Sequence, residues 1–220
     1  MRPLWPALLL VLLMGCDSPG AAPQEPPEEA ALQCLGSAEL CERSYDEVSY
    51  LTSHNAMSNE AEGWYVPNHL VPIEDQLQMG VRALMLDIHE GEDALMLCHG
   101  TCLAGSEPLE PRLSALKEFL EAHPGEVLTL ILESYVTASS VAEAFAASGL
   151  AELAHTQSPQ DPWPTLGSLV TTNRRLLVFT DAPAGGPDWM LDVWKHAFET
   201  SFSVKFPDQF TCDPNRGEVS

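Results

Sequence analysis

The chain has 220 residues, of which 32 are acidic and 10 are Lys or Arg, so its formal net charge is −22. Nucleic-acid binding requires a basic surface, and this balance therefore excludes a nucleic-acid-binding protein. It also argues against electrostatic attachment to an anionic bilayer. An acidic surface of this kind keeps a protein in solution.

Residues 1–16 are predicted to be an export signal. Arg2 precedes an apolar run over residues 8–14, which is too short to span a membrane as a helix. The run ends in Leu-Met-Gly-Cys16, and this pattern resembles a bacterial lipobox, in which Cys16 becomes the lipidated first residue of the mature chain. The alternative is a plain secretory signal. Both interpretations predict an exported protein, either anchored as a periplasmic or cell-surface lipoprotein or secreted.

Residues 17–31 are rich in Pro and Glu and contain almost no side chain that a core would bury. Such a segment is typical of a disordered tether between an anchor and a folded domain. Residues 32–220 remain, which is long enough for one domain with a sizeable core. We expect this domain to be a monomer that meets the membrane through its N-terminal lipid.

Six cysteines in an exported chain suggest disulfides, and five are left if Cys16 carries a lipid. Short spacings suggest two bridges, one between Cys34 and Cys41 and one between Cys98 and Cys102. The second bridge would stiffen the loop that carries His99. Cys212 is then left without a partner.

Short apolar runs alternate with helical patterns after residue 31. Strands are predicted over residues 48–53, 83–88, 94–98, 127–132 and 176–180, and helices over 71–79, 112–122, 139–148 and 188–198. This alternation predicts an α/β fold with a largely parallel sheet. Five strands are too few for an eight-stranded barrel, and the segment after residue 206 is irregular. We therefore expect a barrel that is incomplete at its C-terminal end, in a sequence truncated after Ser220.

Side chains capable of chemistry stand where the predicted strands end. In a parallel barrel these ends share one face, where active sites are found. Alternation along the second strand places Met85, Asp87 and His89 on one side. The residues expected to meet at this face are His54, Asn55, Asp87, His89, His99 and Glu133.

These residue types suit cleavage of a phosphodiester. Histidine titrates near neutral pH and can act as a general acid or base, a role open to His54 and His99. Asn55, Asp87 and Glu133 offer hard oxygen ligands, which suit Ca²⁺ or Mg²⁺. Such a reaction needs a base for the attacking hydroxyl, an acid for the leaving oxygen and a cation for the phosphoryl oxygens.

The motifs resemble the X-domain of phosphatidylinositol-specific phospholipase C, from about Cys34 to the C-terminus. They are Ser53-His-Asn55, Gly80-Val-Arg-x-Leu-x-Leu-Asp87, Cys98-His-Gly100 and the strand that ends in Glu133. The Cys-x6-Cys segment that begins at Cys34 and the Asn-Arg-Gly motif at Asn215 resemble segments of the secreted members of this family. The resemblance implies a distorted TIM-type (β/α) barrel and a phosphoric diester hydrolase or lyase. It also implies that His54 is the general base, that His99 is the general acid and that Asn55, Asp87 and Glu133 bind calcium.

The chain departs from the family pattern at two positions. Calcium-binding members usually carry an acidic residue where this chain has Met85, and members that work without metal carry an Arg at the position of Asp87. His89 is a further candidate for a metal ligand or a phosphate contact.

The sequence thus predicts cleavage of a phosphatidylinositol-like phospholipid to diacylglycerol and a cyclic inositol phosphate. Two alternatives stay open. One is a glycerophosphodiester or other phospholipid phosphodiesterase on the same barrel. The other is a surface lipoprotein whose degenerate site binds lipid or a partner without turnover.

Overall fold

The computed structural model describes residues 31–217. The predicted signal segment with Cys16 and all but the last residue of the predicted tether lie outside the described residues, as do residues 218–220. Among residues 31–217, no helix is long and apolar enough to cross a membrane.

The described chain has nine strands and five α-helices. The strands are β1 (Thr52–Ser53), β2 (Ala83–Glu90), β3 (Leu95–Leu97), β4 (Glu107–Pro108), β5 (Leu128–Ser134), β6 (Leu176–Thr180), β7 (Met190–Asp192), β8 (Phe198–Thr200) and β9 (Pro214–Gly217). The helices are α1 (Ile73–Gln78), α2 (Leu109–Ala122), α3 (Ala138–Ala147), α4 (Leu166–Thr171) and α5 (Val193–His196). Short 3-10 turns lie at Glu39–Glu42, Tyr45–Glu47, Cys102–Ala104, Leu150–Leu153 and Pro207–Gln209.

Seven strands form one mixed sheet in the order β4-β3-β2-β5-β6-β7, and β1 also pairs with β2. Strand β2 organises this sheet. β5 runs parallel along one side of it, while parallel β1 and antiparallel β3 share the other side. The register places Asp87 of β2 directly opposite Glu133 of β5. The parallel pairing therefore brings two predicted site residues together.

The α/β class with a parallel-strand sheet is confirmed. The barrel was predicted to be incomplete, and residues 31–217 contain no closed barrel. Strands β8 and β9 pair with each other in a separate two-stranded sheet. No described strand joins β7 to the opposite edge of the large sheet.

The outer face of the sheet forms the main core. Leu84, Leu86 and Ile88 alternate along β2 and are fully buried. They belong to the same apolar cluster as Leu113 and Leu116 of α2, which repeat at helical spacing. Burial of this face fixes the register of β2, because a shift by one residue would expose every one of its leucines.

Side chains of the opposite, inner face of the sheet pack at one end against an aromatic cluster, named here the aromatic base. It consists of Tyr50, Tyr45, Trp163 and Phe179, in which each ring lies against the next. The two tyrosine rings are stacked and the other pairs are tilted. The Tyr45 hydroxyl makes a buried 2.7 Å hydrogen bond with the Thr129 hydroxyl of β5.

The predicted helix over residues 188–198 is wrong. This segment contains β7, the single turn α5 and β8. Asp192 interrupts the strand and caps α5, because its carboxylate accepts the Trp194 amide at 3.1 Å. Helix α4 and strand β4 were not predicted, and both are too short to give a clear periodicity.

Both suggested disulfides are present. Cys34 is bonded to Cys41 and Cys98 to Cys102. Cys212 is exposed and is the one free cysteine of the described residues.

Candidate active site

A cavity of about 290 Å³, named here the site cavity, opens where β1, β2 and β5 end. It is lined by His54, Asn55, Met85, Asp87, Ile131, Leu132, Glu133, Asp181, Val193, Trp194, Glu199 and Arg216. Four of the six predicted site residues are in this lining. The fold therefore gathers side chains that are far apart in the sequence.

His54 follows β1 directly, and its ring is exposed. Its Nδ1 lies 3.3 Å from the sulfur of Met85. The ring of His69 donates from Nε2 to the His54 carbonyl oxygen at 2.8 Å, which anchors the backbone under the catalytic candidate. His69 was not a predicted site residue, and its place depends on the fold of the loop after Asn59.

Asn55 is only 2% exposed and has a positive φ of 51°. Asn adopts this left-handed conformation more readily than most residues. Its side chain lines the site cavity.

Asp87 and His99 form a pair, with His99 Nδ1 at 3.3 Å from Asp87 Oδ2. Asp87 is 5% exposed, and this burial raises the pKa of its carboxyl, while the hydrogen bond from His99 lowers it. The neighbouring charge of Glu133 raises the pKa of Asp87 further. The His99 side chain is half exposed, so one ring nitrogen is held by Asp87 and the other is accessible.

Two features bring His99 to Asp87. Strand β3 turns back against the end of β2, and the Cys98 amide donates to the Asp87 carbonyl at 3.2 Å. The Cys98–Cys102 bridge then closes the short loop around His99. The hairpin and the disulfide together limit where the His99 ring can lie.

Glu133 accepts a hydrogen bond from the Tyr135 hydroxyl, and this bond raises the pKa of Tyr135 to about 12. The Tyr135 ring stacks on His89, with ring centroids 4.3 Å apart. His89 does not line the site cavity, although it shares a strand face with Asp87. Its Nε2 is buried and has no partner among the described residues.

Asp181, Trp194, Glu199 and Arg216 also line the site cavity, and sequence reasoning did not single them out as site residues. Asp181 follows β6 and accepts the Ser134 amide at 3.0 Å, so the strand-end pattern could have found it. The other three lie on α5 and the β8–β9 hairpin. Arg216 belongs to the Asn-Arg-Gly motif, whose position in the fold the sequence did not reveal, and no sequence signal marked Trp194 or Glu199.

The donor set of Asn55, Asp87 and Glu133 is chemically suited to a hard divalent cation. It offers one amide and two carboxylate oxygen groups, and its two carboxylates repel each other. A cation between them would relieve this repulsion. Within residues 31–217, no group of three or more His, Cys, Asp or Glu side chains is arranged to hold a metal ion. Only two of the three candidate ligands are of those types.

The family model described as PI-PLC X matches residues 40–220. The parallel strands β1, β2 and β5 bring His54, Asp87 and Glu133 together at the site cavity. The chain belongs to the PI-PLC X-domain family.

Relatives in fungi and plants are similar over most of the chain. A PI-PLC X domain-containing protein of Arthroderma benhamiae is 32% identical over 192 residues, covering 81% of this chain and 61% of the relative. An uncharacterized secreted protein of the same fungus is 29% identical and covers 88% and 45%. A PI-PLC X domain-containing protein of Arabidopsis thaliana is 31% identical and covers 79% and 45%.

The chain thus spans about half the length of the curated relatives that it matches. Among solved structures, phosphatidylinositol-specific phospholipase C from Listeria monocytogenes is similar with a TM-score of 0.48 and 17% identity. This similarity covers 64% of this chain and 54% of the Listeria chain.

Proposed function

We propose that the protein is an exported phosphodiesterase that cleaves a phosphatidylinositol-like phospholipid. The observation that carries this proposal is the pairing of His99 with buried Asp87 beside a cavity that His54 also lines. Membership of the PI-PLC X-domain family supports it. His54 lines the cavity, and His99 does not line it but is paired with the lining residue Asp87. Together they supply both proton transfers that phosphodiester cleavage needs.

His54 acts as the general base in this proposal. Its exposed ring takes the proton from a substrate hydroxyl, and the resulting oxygen attacks phosphorus. The bond between phosphorus and the leaving oxygen breaks, and His99 donates a proton to that oxygen. Asp87 holds the Nδ1 hydrogen of His99, so the accessible ring nitrogen carries the proton that is transferred. The products are a cyclic phosphate and an alcohol, which is diacylglycerol for a phosphatidylinositol substrate.

Asn55, Asp87 and Glu133 would hold a calcium ion, or alternatively magnesium. When bound, the ion supplies positive charge that neutralises the phosphoryl oxygens. Charge balance supports this part of the proposal. Four carboxylates and one guanidinium line the site cavity, so an anionic phosphodiester is repelled unless a cation is present.

The proposal includes export and anchoring. Two disulfides are typical of extracellular proteins, and one relative carries the description of a secreted protein. We further propose that Cys16 is lipidated. Mass spectrometry of the protein from its native membrane should find an acylated Cys16 at the new N-terminus. A chain that begins elsewhere or lacks the lipid would contradict this part.

A second candidate function is binding without turnover. It is favoured by the contact between His54 and Met85, because a thioether cannot stabilise a protonated base histidine as a carboxylate does. On this alternative, the site cavity binds calcium or a phospholipid head group and releases no product.

Phosphorus NMR of vesicles distinguishes these functions. The full chain is incubated with phosphatidylinositol, phosphatidylcholine or a glycerophosphodiester, in calcium and in EDTA. A calcium-dependent cyclic phosphate from phosphatidylinositol alone is the expected result. Products from another head group would reassign the substrate. Calcium binding without any product would support the binding function.

A further inference from the structure

Arg216 has a distinctive position in the site cavity. Among the described residues that line it, Arg216 is the single Lys or Arg, against the carboxylates of Asp87, Glu133, Asp181 and Glu199. The mechanism proposed above gives it no role. A lone fixed cation in an acidic cavity is a natural contact for an anionic ligand.

The guanidinium is held on two sides. Its Nε and Nη2 atoms donate to the two carboxylate oxygens of Glu199, at 2.6 and 3.0 Å. Its central carbon lies 4.5 Å from the ring centroid of Trp194. The Nη1 group makes no hydrogen bond within residues 31–217, and 56% of the side chain is exposed. The Nη1 edge of the guanidinium is therefore available to bind a ligand.

The residues beside Arg216 keep it in place. The Asn215 side chain donates to the same Glu199 carboxylate at 3.0 Å. Gly217 has a φ of 89°, and a Cβ there would lie 2.1 Å from the Ala197 carbonyl oxygen. Only glycine lets β9 approach β8 this closely. The Asn-Arg-Gly motif thus builds a hairpin that carries Arg216 to the cavity.

We propose that Arg216 is an anion-binding residue of the site cavity and contacts the phosphate of a phosphodiester through its free Nη1 edge. This inference rests on the proposed function, and it extends it by assigning a substrate contact to the β8–β9 hairpin. The ligand class is a phosphate diester monoanion. Arg216 then holds the phosphate from the hairpin side, while the large sheet provides His54 and the carboxylates.

A purely structural role for Arg216 makes a different prediction. If the Arg216–Glu199 pair serves only to hold the hairpin, removal of either partner should weaken phosphate binding equally. If Arg216 binds the anion, the two substitutions should act in opposite directions. Loss of Glu199 removes a competing negative charge and leaves the guanidinium available.

The test is a phosphorus NMR titration with dimethyl phosphate, a diester without the neighbouring hydroxyl that cyclisation needs. Binding is measured in the same calcium buffer for wild type, Arg216→Gln, Arg216→Lys and Glu199→Gln. Lys195→Gln is the matched control, because it removes a nearby positive charge that pairs with Asp192 and does not line the site cavity.

Arg216→Gln should weaken binding about tenfold, and Arg216→Lys less, because one charge-assisted hydrogen bond is lost or weakened. Glu199→Gln should tighten binding by up to about fivefold, the range of a single exposed charge. Lys195→Gln should stay within about twofold of wild type.

Three results would overturn the proposal. They are wild-type protein that binds no dimethyl phosphate, equal weakening by Arg216→Gln and Glu199→Gln, and equal weakening by Arg216→Gln and Lys195→Gln. Because the probe is not turned over, its binding is measured even if no lipid is cleaved. Failure of the proposed function and failure of this inference are therefore distinguishable.

Discussion

The two ends of the sheet's inner face have opposite chemistry, although the same strands build both. At the aromatic base, polar groups are paired, as in the buried bond between Tyr45 and Thr129. At the site cavity, Asp87 is a buried carboxylate next to the carboxylate of Glu133. The aromatic base therefore contributes to stability, whereas the site cavity holds carboxylates close together although they repel each other.

This difference indicates which end of the sheet carries the function. The two ends look alike in the sequence, because the same alternation of side chains runs along the whole of each strand. Proteins usually satisfy buried polar groups, and exceptions cluster at functional sites. Substitutions at the site cavity should therefore affect activity more than stability, and those at the aromatic base should do the reverse.

The largest expected effect is that of His54→Ala. Loss of the general base should lower the rate of phospholipid cleavage about a thousandfold. The free energy of unfolding should change by less than about 0.5 kcal/mol, because the ring is exposed. Rates come from phosphorus NMR and stability from urea unfolding. His155→Ala alters a histidine outside the site cavity and should keep the wild-type rate. An equal loss of rate there would contradict the assignment of activity to the site cavity.

Asp87→Asn should lower the rate about a hundredfold, because the protonated form of His99 loses its counter-charge. Stability should be equal to or higher than that of wild type at neutral pH. Burial raises the pKa of Asp87 in the folded state, so ionisation favours the unfolded chain. The difference in the free energy of unfolding between the variant and wild type should be absent below about pH 3.9, the pKa of Asp87 in the unfolded chain. It should appear as the pH rises through the pKa of Asp87 in the folded protein. A variant that is less stable than wild type at pH 7 would contradict this assignment.

The two disulfides offer a matched pair, one at each end. Each closes a short loop, so each double substitution to Ala should lower stability by about 2 kcal/mol. Loss of the Cys98–Cys102 bridge should also lower the rate about tenfold, because His99 is no longer held against Asp87. Loss of the Cys34–Cys41 bridge should leave the rate of the folded protein unchanged. Equal effects on the rate would remove the distinction between the two ends.

Tyr45→Phe should have the smallest effect, a loss of about 1 kcal/mol at neutral pH from the missing hydrogen bond. Burial raises the pKa of Tyr45 from 10.0 to about 12, so wild-type stability should fall as the pH rises from 10 to 12. The variant lacks this ionisation, and the difference between the two proteins should shrink over that range. Urea unfolding at pH 8 and pH 11 checks this, and a constant difference would contradict the burial of the phenol.

Much of the large sheet was predictable because β2, β5 and β6 are rich in apolar residues, most of which are buried. The ends of β2 and β5 were predicted to carry site residues, and the structure places Asp87 and Glu133 side by side. The pairing of Asp87 with His99 was not predictable, since it depends on β3 turning back in one register. The position of Arg216 was not predictable either, because short strands such as β8 and β9 give weak patterns. A barrel was expected from the resemblance, incomplete at its C-terminal end, and no described strand closes the sheet. Pairing between distant strands cannot be read from local sequence.

The most direct test of the account is the release of cyclic phosphate from phosphatidylinositol vesicles by wild type and His54→Ala, in the same calcium buffer. Wild type should give a cyclic phosphate signal, and His54→Ala should lower the rate of its appearance about a thousandfold without changing urea unfolding. Equal product from both proteins would contradict the role of the site cavity. No product from either would contradict turnover of this lipid.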